Sequence, residues 1–245
     1  MRKEIASAND PLLRYLSIPN RVSHFKPMKT VEGADLYWNS FVSDVAQWGP
    51  ATAIFFGKEL RAALDVPVGL VANPWGGRRV EAFMPQSTFK EDAALEEFYK
   101  PILAKFEKAA AAYDAEAEAR KHRAALANWK KKTEEAKAAG KKKLPKRPEP
   151  TPNPHMNSSF PATIFNGKVN PVVPYAMRGV KWYQGESNTK YFPDAYNHRF
   201  STMIKAWRAE WGQGDFPFYF CQLAYFRESK VDPVDVDGWA TVRDQ

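Results

Sequence analysis

The chain has 245 residues, 44% of them hydrophobic and 14% aromatic, which is enough to bury a substantial core and too apolar for an intrinsically disordered protein. Its net charge of +8 invites a polyanionic partner, but twelve Lys or Arg and only two Glu fall between Arg120 and Arg147, a local balance of +10 that leaves −2 for everything else. The single cysteine, Cys221, excludes an internal disulfide and a Cys-based metal cage, and no apolar run reaches the roughly 18 residues of a membrane span.

Residues 1–90 read as the first part of an α/β domain. Leu12 to Ile18 predicts a strand ended by Pro19, followed by a loop rich in Trp and Pro. Ala51 to Leu64 predicts a helix with Ile54, Phe55, Leu60 and Leu64 on its buried face. Val66 to Ala72 is a continuous apolar run of the kind that parallel sheets bury on both faces. It ends at Asn73-Pro-Trp-Gly-Gly77, where two glycines permit positive φ or close approach of a ligand to the backbone.

Residues 91–154 change character to Ala, Lys and Glu, with Leu95, Phe98, Ile102, Phe106 and Tyr113 near one helical face. A basic helical hairpin is expected, inserted as a surface arm and closed by the proline-dense return Leu144 to Pro154. Apart from Trp129 no aromatic residue interleaves with the Lys runs at 130–132 and 141–143, and no nucleic-acid module surrounds them. A solvated arm is therefore expected, and no specific nucleic-acid partner.

Residues 155–245 resume the α/β pattern. Met177 to Tyr183 predicts a strand, Tyr196 to Trp211 an amphipathic helix through Phe200, Met203, Ile204 and Trp207, and Phe216 to Phe226 a buried strand that holds Cys221 as a core thiol. Strand, helix, strand, arm, strand, helix, strand is the order of a doubly wound parallel sheet. Arg178-Gly-Val-Lys-Trp-Tyr-Gln-Gly-Glu-Ser-Asn-Thr189 runs an apolar strand into a tight polar turn, the place where open α/β sheets hold ligands.

Several chemistries can be tested against these loops. No Gly-rich phosphate loop occurs. The histidines His24, His122, His155 and His198 are scattered, which argues against a metal centre, and no cofactor motif is present. Gly185-Glu-Ser-Asn-Thr189 superficially has the start of a nucleophile elbow without its final glycine, so Ser187 is a weak signal for a nucleophile, and His198 reads as a surface group rather than its base.

Val66 to Phe83, Phe165-Asn-Gly167 and Gly179-Val-Lys-Trp-Tyr-Gln-Gly-Glu-Ser-Asn188 resemble the sialate O-acetylesterase family of SGNH-type hydrolases, as do Ala206-Trp-Arg208 and the segment through Gln222-Leu223. The resemblance implies a flavodoxin-like three-layer αβα sandwich with a parallel sheet, and metal-free serine-type removal of O-acetyl groups from sialic acids or other acetylated carbohydrates. The family's nucleophile lies in a Gly-Gln-Ser-Asn-Met motif upstream of the region matched by Ile5 to Tyr15, and its base in an Asp-x-x-His segment downstream of the region matched by Trp239 to Gln245. Neither motif occurs here, so both groups are expected outside these residues, and the 245-residue chain by itself is expected to be inactive.

What the resemblance places within the chain is the oxyanion site: a backbone N–H of the Trp75-Gly76-Gly77 turn and the side-chain amide of Gln184. Trp75, Arg78, Gly185, Glu186 and Asn188 are expected to meet the substrate, although Glu186 and Asn188 would serve equally to fix the loop, and Trp75 and Trp182 equally to pack. Where the family commonly carries Ser and Thr, this chain has Asn73, Pro74 and Arg78. The resemblance also implies export, with no signal-peptide pattern visible at the start, and an acetylated carbohydrate as the partner; the alternative is a noncatalytic carbohydrate-binding or scaffold remnant of the same fold.

Overall fold

β1 (Asn9–Ser17) is the middle strand of three, paired antiparallel with β2 (Asn39–Val42) and parallel with β3 (Val68–Ala72). Proline has no N–H for a ladder, and Pro11 sits where the β1–β2 register slips between Asp10 and Arg14; pairing with β3 starts only beyond it, at Leu13. A second sheet pairs β4 (Val180–Trp182) in parallel with β5 (Phe218–Phe220). The helices are α1 (Arg2–Ala6), α2 (Ser43–Trp48), α3 (Ala51–Leu64), α4 (Thr88–Glu91), α5 (Ala93–Ala111), α6 (Ala115–Ala138), α7 (Tyr196–Trp211) and α8 (Gly238–Asp244). The structure is a computed structural model and describes residues 2–6, 8–20, 25–31, 33, 35–141, 143–226 and 237–245; Ser7, His24 and Lys142 lie outside the described residues.

The architecture is mixed α/β, with the expected alternation of strands and helices. It departs from one continuous parallel sheet in two respects. The described strands form two sheets, and the short edge strand β2 runs antiparallel; its single buried side chain, Phe41, gave no alternation to read.

The main core gathers around α7. Phe200, Met203, Trp207 and Trp211 face Phe83, Phe165, Trp182 and Phe216, with Trp182 meeting Phe83 edge-on at 5.2 Å and Trp207 at 6.1 Å. The Trp207 indole N–H donates to the Phe83 carbonyl at 2.8 Å, so this buried ring leaves no polar atom unpaired. α5 joins this core rather than standing off as an appendage: Leu95, Tyr99 and Phe106 are buried with Phe89 and Phe160. α6 buries only Thr133 and Ala136, and the return segment closes over it where the Trp129 indole donates to the Pro145 carbonyl at 2.9 Å.

Three burial expectations are corrected. α3 spans the residues predicted for it but rests on the sheet through Ile54 and Gly57, leaving Phe55 48% and Leu64 58% exposed, because the contact stripe is rotated toward Ile54, Gly57 and Arg61. β3 is not covered on both faces; among the described residues α3 packs against one face, and Val71, like Leu12 of β1, is exposed. The strand expected over Phe216 to Phe226 narrows to β5, where Tyr219 and Phe220 are 59% and 65% exposed and Cys221 is half-buried. Apolar runs signal strands well, but burial needs an element on each face. Among the described residues no helix is long and apolar enough to cross a membrane, and no group of His, Cys, Asp or Glu is arranged to hold a metal ion.

Candidate active site

Parallel strands deliver their loops to one end, and here the C-terminal ends of β1, β3, β4 and β5 lead into the segments at 18–20, 73–78, 183–188 and 221–226. A depression of about 370 Å³ lined by Asp10, Lys58, Arg61 and Asp65 lies at the opposite end of β1. A cleft of about 350 Å³ opens on the loop side, lined by Trp182, Gln184, Tyr196, Phe200, Leu223 and Arg243.

The turn after β3 has Gly77 at φ +70°, a conformation that glycine adopts without strain. A Cβ on Gly76 or Gly77 would meet no protein atom within 4 Å, so the space in front of the turn is open. Among the described residues neither glycine N–H donates to a protein acceptor. The half-buried Trp75 ring has two basic groups near it, the Arg78 guanidinium at 5.5 Å and the Lys168 amine at 5.2 Å from its centroid. Arg78 Nη1 donates to the Gly77 carbonyl at 2.9 Å, while its Nε is buried without an acceptor. Beneath the turn, Lys168 Nζ donates to the Pro74 carbonyl at 3.0 Å and to Asn20 Oδ1 at 2.7 Å.

The loop after β4 turns at Gly185, φ +152°, where a Cβ would press on Leu223 and Val242 at 3.1–3.2 Å. One 3-10 turn, Glu186–Asn188, follows. The structure brings Gln184 to the glycine turn, with Nε2 donating to the Arg78 carbonyl at 3.1 Å and to Asn188 Oδ1 at 2.7 Å. Both amide hydrogens are thereby engaged. The Tyr196 hydroxyl, 3.0 Å from both the Gln184 carbonyl and Oε1, holds the other side; burial pushes its pKa up, so it remains a donor.

Asn188 is fully buried. Its Oδ1 accepts from the Val80 N–H at 3.1 Å, and its Nδ2 donates to Glu81 Oε2 at 3.1 Å. Glu81 is itself buried against Arg199, whose Nη1 lies 2.5 Å from Oε1. Of the two roles open to Asn188 in the sequence, the structure gives it loop fixing rather than contact with a sugar. Gly185 is buried as well, and Trp182 packs in the core. Glu186 stays exposed, and Ser187 is half-buried on the turn. His198 is exposed and pairs with Asp92 at 2.9 Å, away from Ser187's loop contacts, as expected of a surface group.

Sequence reasoning missed Glu81, Arg199, Tyr196 and Lys168. Tyr196 and Arg199 carried a signal: they precede Phe200 and Met203 by four residues, which places two polar groups on the buried stripe of α7. Lys168 carried none, being a lysine in a short segment, Phe165–Val169, that folds as a single π-helical turn and is buried throughout.

A family model described as carbohydrate esterase, sialic acid-specific acetylesterase, matches residues 163–241. The sialate O-acetylesterase of Homo sapiens is 24% identical over 243 residues, covering 94% of this chain and 36% of that protein, and that of Mus musculus is 27% identical over 188 residues, covering 72% and 29%. The solved structure of a carbohydrate acetylesterase from Xanthomonas citri is similar over 99% of this chain and 41% of its own, with a TM-score of 0.66 at 26% identity. The chain thus spans about a third of the length of the curated relatives it matches.

Proposed function

We propose that the chain, which is similar to the sialate O-acetylesterases and to a carbohydrate acetylesterase, carries the oxyanion-stabilising part of a serine-type site that hydrolyses O-acetyl esters of sialic acid or related acetylated sugars. The observation that carries the reading is the open Gly76–Gly77 turn, with N–H groups free of protein acceptors, standing beside the Gln184 carboxamide. The same similarity supports a flavodoxin-like αβα sandwich of SGNH type, with β1, β3, β4 and β5 as its parallel strands.

In acyl transfer the ester carbonyl oxygen gains negative charge as the nucleophile adds, and each preoriented donor lowers that barrier by about 2.7–4 kcal/mol. The turn presents its N–H groups without needing to break a protein hydrogen bond first. Gln184 supplies a further donor by exchanging its bond to the Arg78 carbonyl for one to the oxyanion, while Asn188 and Tyr196 keep the carboxamide in register. Trp75 forms an apolar wall for the acetyl group. Arg78, with an unsatisfied Nε at the edge of the turn, suits a substrate that carries a carboxylate, and Glu186 faces solvent where sugar hydroxyls would lie. No described residue is assigned as the attacking hydroxyl or its histidine base.

The test is acetate release from an O-acetylated sialic acid by a longer polypeptide that joins this chain to the family's serine nucleophile and histidine base, with and without Arg78→Met. Turnover that loses affinity for the acidic sugar, but not for a neutral acetylated sugar, in the variant supports the reading. Absence of acetate release from both sugars contradicts it.

A further inference from the structure

Lys168 is fully buried, and among the described residues no carboxylate lies within ion-pair distance of it. Taking an ammonium out of water without a counter-charge costs several kcal/mol, so packing alone does not explain a lysine here, where an unbranched apolar side chain of similar length would fill the same space. What the amine provides is two directed donors. One reaches Asn20, three residues past the end of β1, and the other the Pro74 carbonyl, two residues past the end of β3. β1 and β3 are parallel neighbours, so the lysine bridges the two loops that leave them at the ligand-bearing end of the sheet.

We propose that Lys168 is the positioning residue of the Gly76–Gly77 turn, pinning the Pro74 carbonyl to Asn20 so that the turn's N–H groups are held toward the substrate. This rests on the reading of that turn as the oxyanion holder. A backbone turn whose glycine N–H groups have no protein acceptor has little to fix it locally, and the bond to Pro74 together with the amine under the Trp75 ring supplies the missing restraint from below. Burial draws the Lys168 pKa down to about 7, so the amine changes charge close to neutrality. The other basic group near the Trp75 ring is Arg78; the amine's hydrogen-bond partners, Asn20 and Pro74, carry no titratable group. Burial disfavours the protonated amine, so the restraint is firmest when the amine is neutral and loosens as it takes up a proton.

Hydrogen exchange of the chain without substrate tests this, and its outcome does not depend on esterase activity. In Lys168→Met the protection of the Ile18 and Val80 amides, which bond Ala72 and Asn188 on either side of the turn, should fall at least tenfold while β1 and α7 keep theirs. Protection of the same amides in the wild type should rise severalfold as pH rises above about 7, after correction for intrinsic exchange. Asn20→Leu, which keeps the lysine and removes one anchor, should give the same local loosening and serves if Lys168→Met does not fold. Unchanged protection at those amides, loss spread equally over the whole body, or a pH-independent profile in the wild type would overturn the proposal.

Discussion

Glu81 and Arg199 meet inside the core with side chains only 3% and 4% exposed, and Asn188 completes the carboxylate's coordination from the loop after β4. Glu81 belongs to the buried 3-10 turn Val80–Phe83 that follows the glycine turn, and Arg199 to α7. The pair therefore fixes the relation between the two candidate loops and the helix beneath them. Phe98 and Phe192 cover the guanidinium at 4.3 and 5.4 Å, so water contributes little screening.

Removing one partner strands the other's charge, which typically costs about 3–5 kcal/mol. Arg199→Ala should lower the free energy of unfolding by an amount of that order, and replacement of both residues by apolar ones of similar volume should recover much of the loss. Equilibrium unfolding of the two variants checks it; a loss below about 1 kcal/mol for Arg199→Ala would mean that the pair is not desolvated as described.

The two glycines of the turn should respond differently. Gly77 sits at φ +70°, where a Cβ costs roughly 1–2 kcal/mol, whereas Gly76 has no such constraint and its alanine variant should stay within about 0.5 kcal/mol of wild type. Thermal unfolding separates the two. In the longer protein both variants should still lower kcat/KM, because each methyl enters the open space in front of the turn.

Lys168 predicts the sign of a pH dependence of stability. Folding lowers its pKa from an ordinary 10.5 to about 7, so between those values the unfolded chain binds more protons and stability rises with pH. Below about 7 both states carry the proton and the contribution is flat. The urea midpoint of the wild type, measured relative to Lys168→Met, should therefore rise between roughly pH 7 and pH 10 by an amount equivalent to several kcal/mol. A relative midpoint that falls over that range contradicts the assignment.

Ser187 lies half-buried on the Glu186–Asn188 turn, and the histidine nearest to it in sequence is paired with Asp92. The 245-residue chain should therefore show no turnover of 4-nitrophenyl acetate above background, and Ser187→Ala should change nothing. Turnover abolished by that substitution would make Ser187 the nucleophile.

Much of the frame was legible because its signals are local. The periodicity of α3 and α7 gave both helices to their ends, and the motif around Gln184 pointed to the loop that meets the glycine turn. Burial was less legible: Val71, Phe220 and Tyr225 sit in apolar runs yet are exposed, because a run reports strand propensity and not what covers it. The polar scaffold was hidden for a different reason. The bonds joining Glu81 to Arg199, and Lys168 to Asn20 and Pro74, link residues far apart in sequence, and their partners are defined only once the loops are brought to one end of the sheets.

The most direct test of the oxyanion assignment is the effect of Gln184→Ala on kcat for an O-acetyl ester, measured on a longer polypeptide that joins this chain to the family's serine nucleophile and histidine base. Loss of one such donor should lower kcat by about 10²–10³ while KM changes little, with a stability cost of only about 1–2 kcal/mol from the bonds to Arg78, Asn188 and Tyr196. A folded Gln184→Ala enzyme with wild-type kcat would contradict the account.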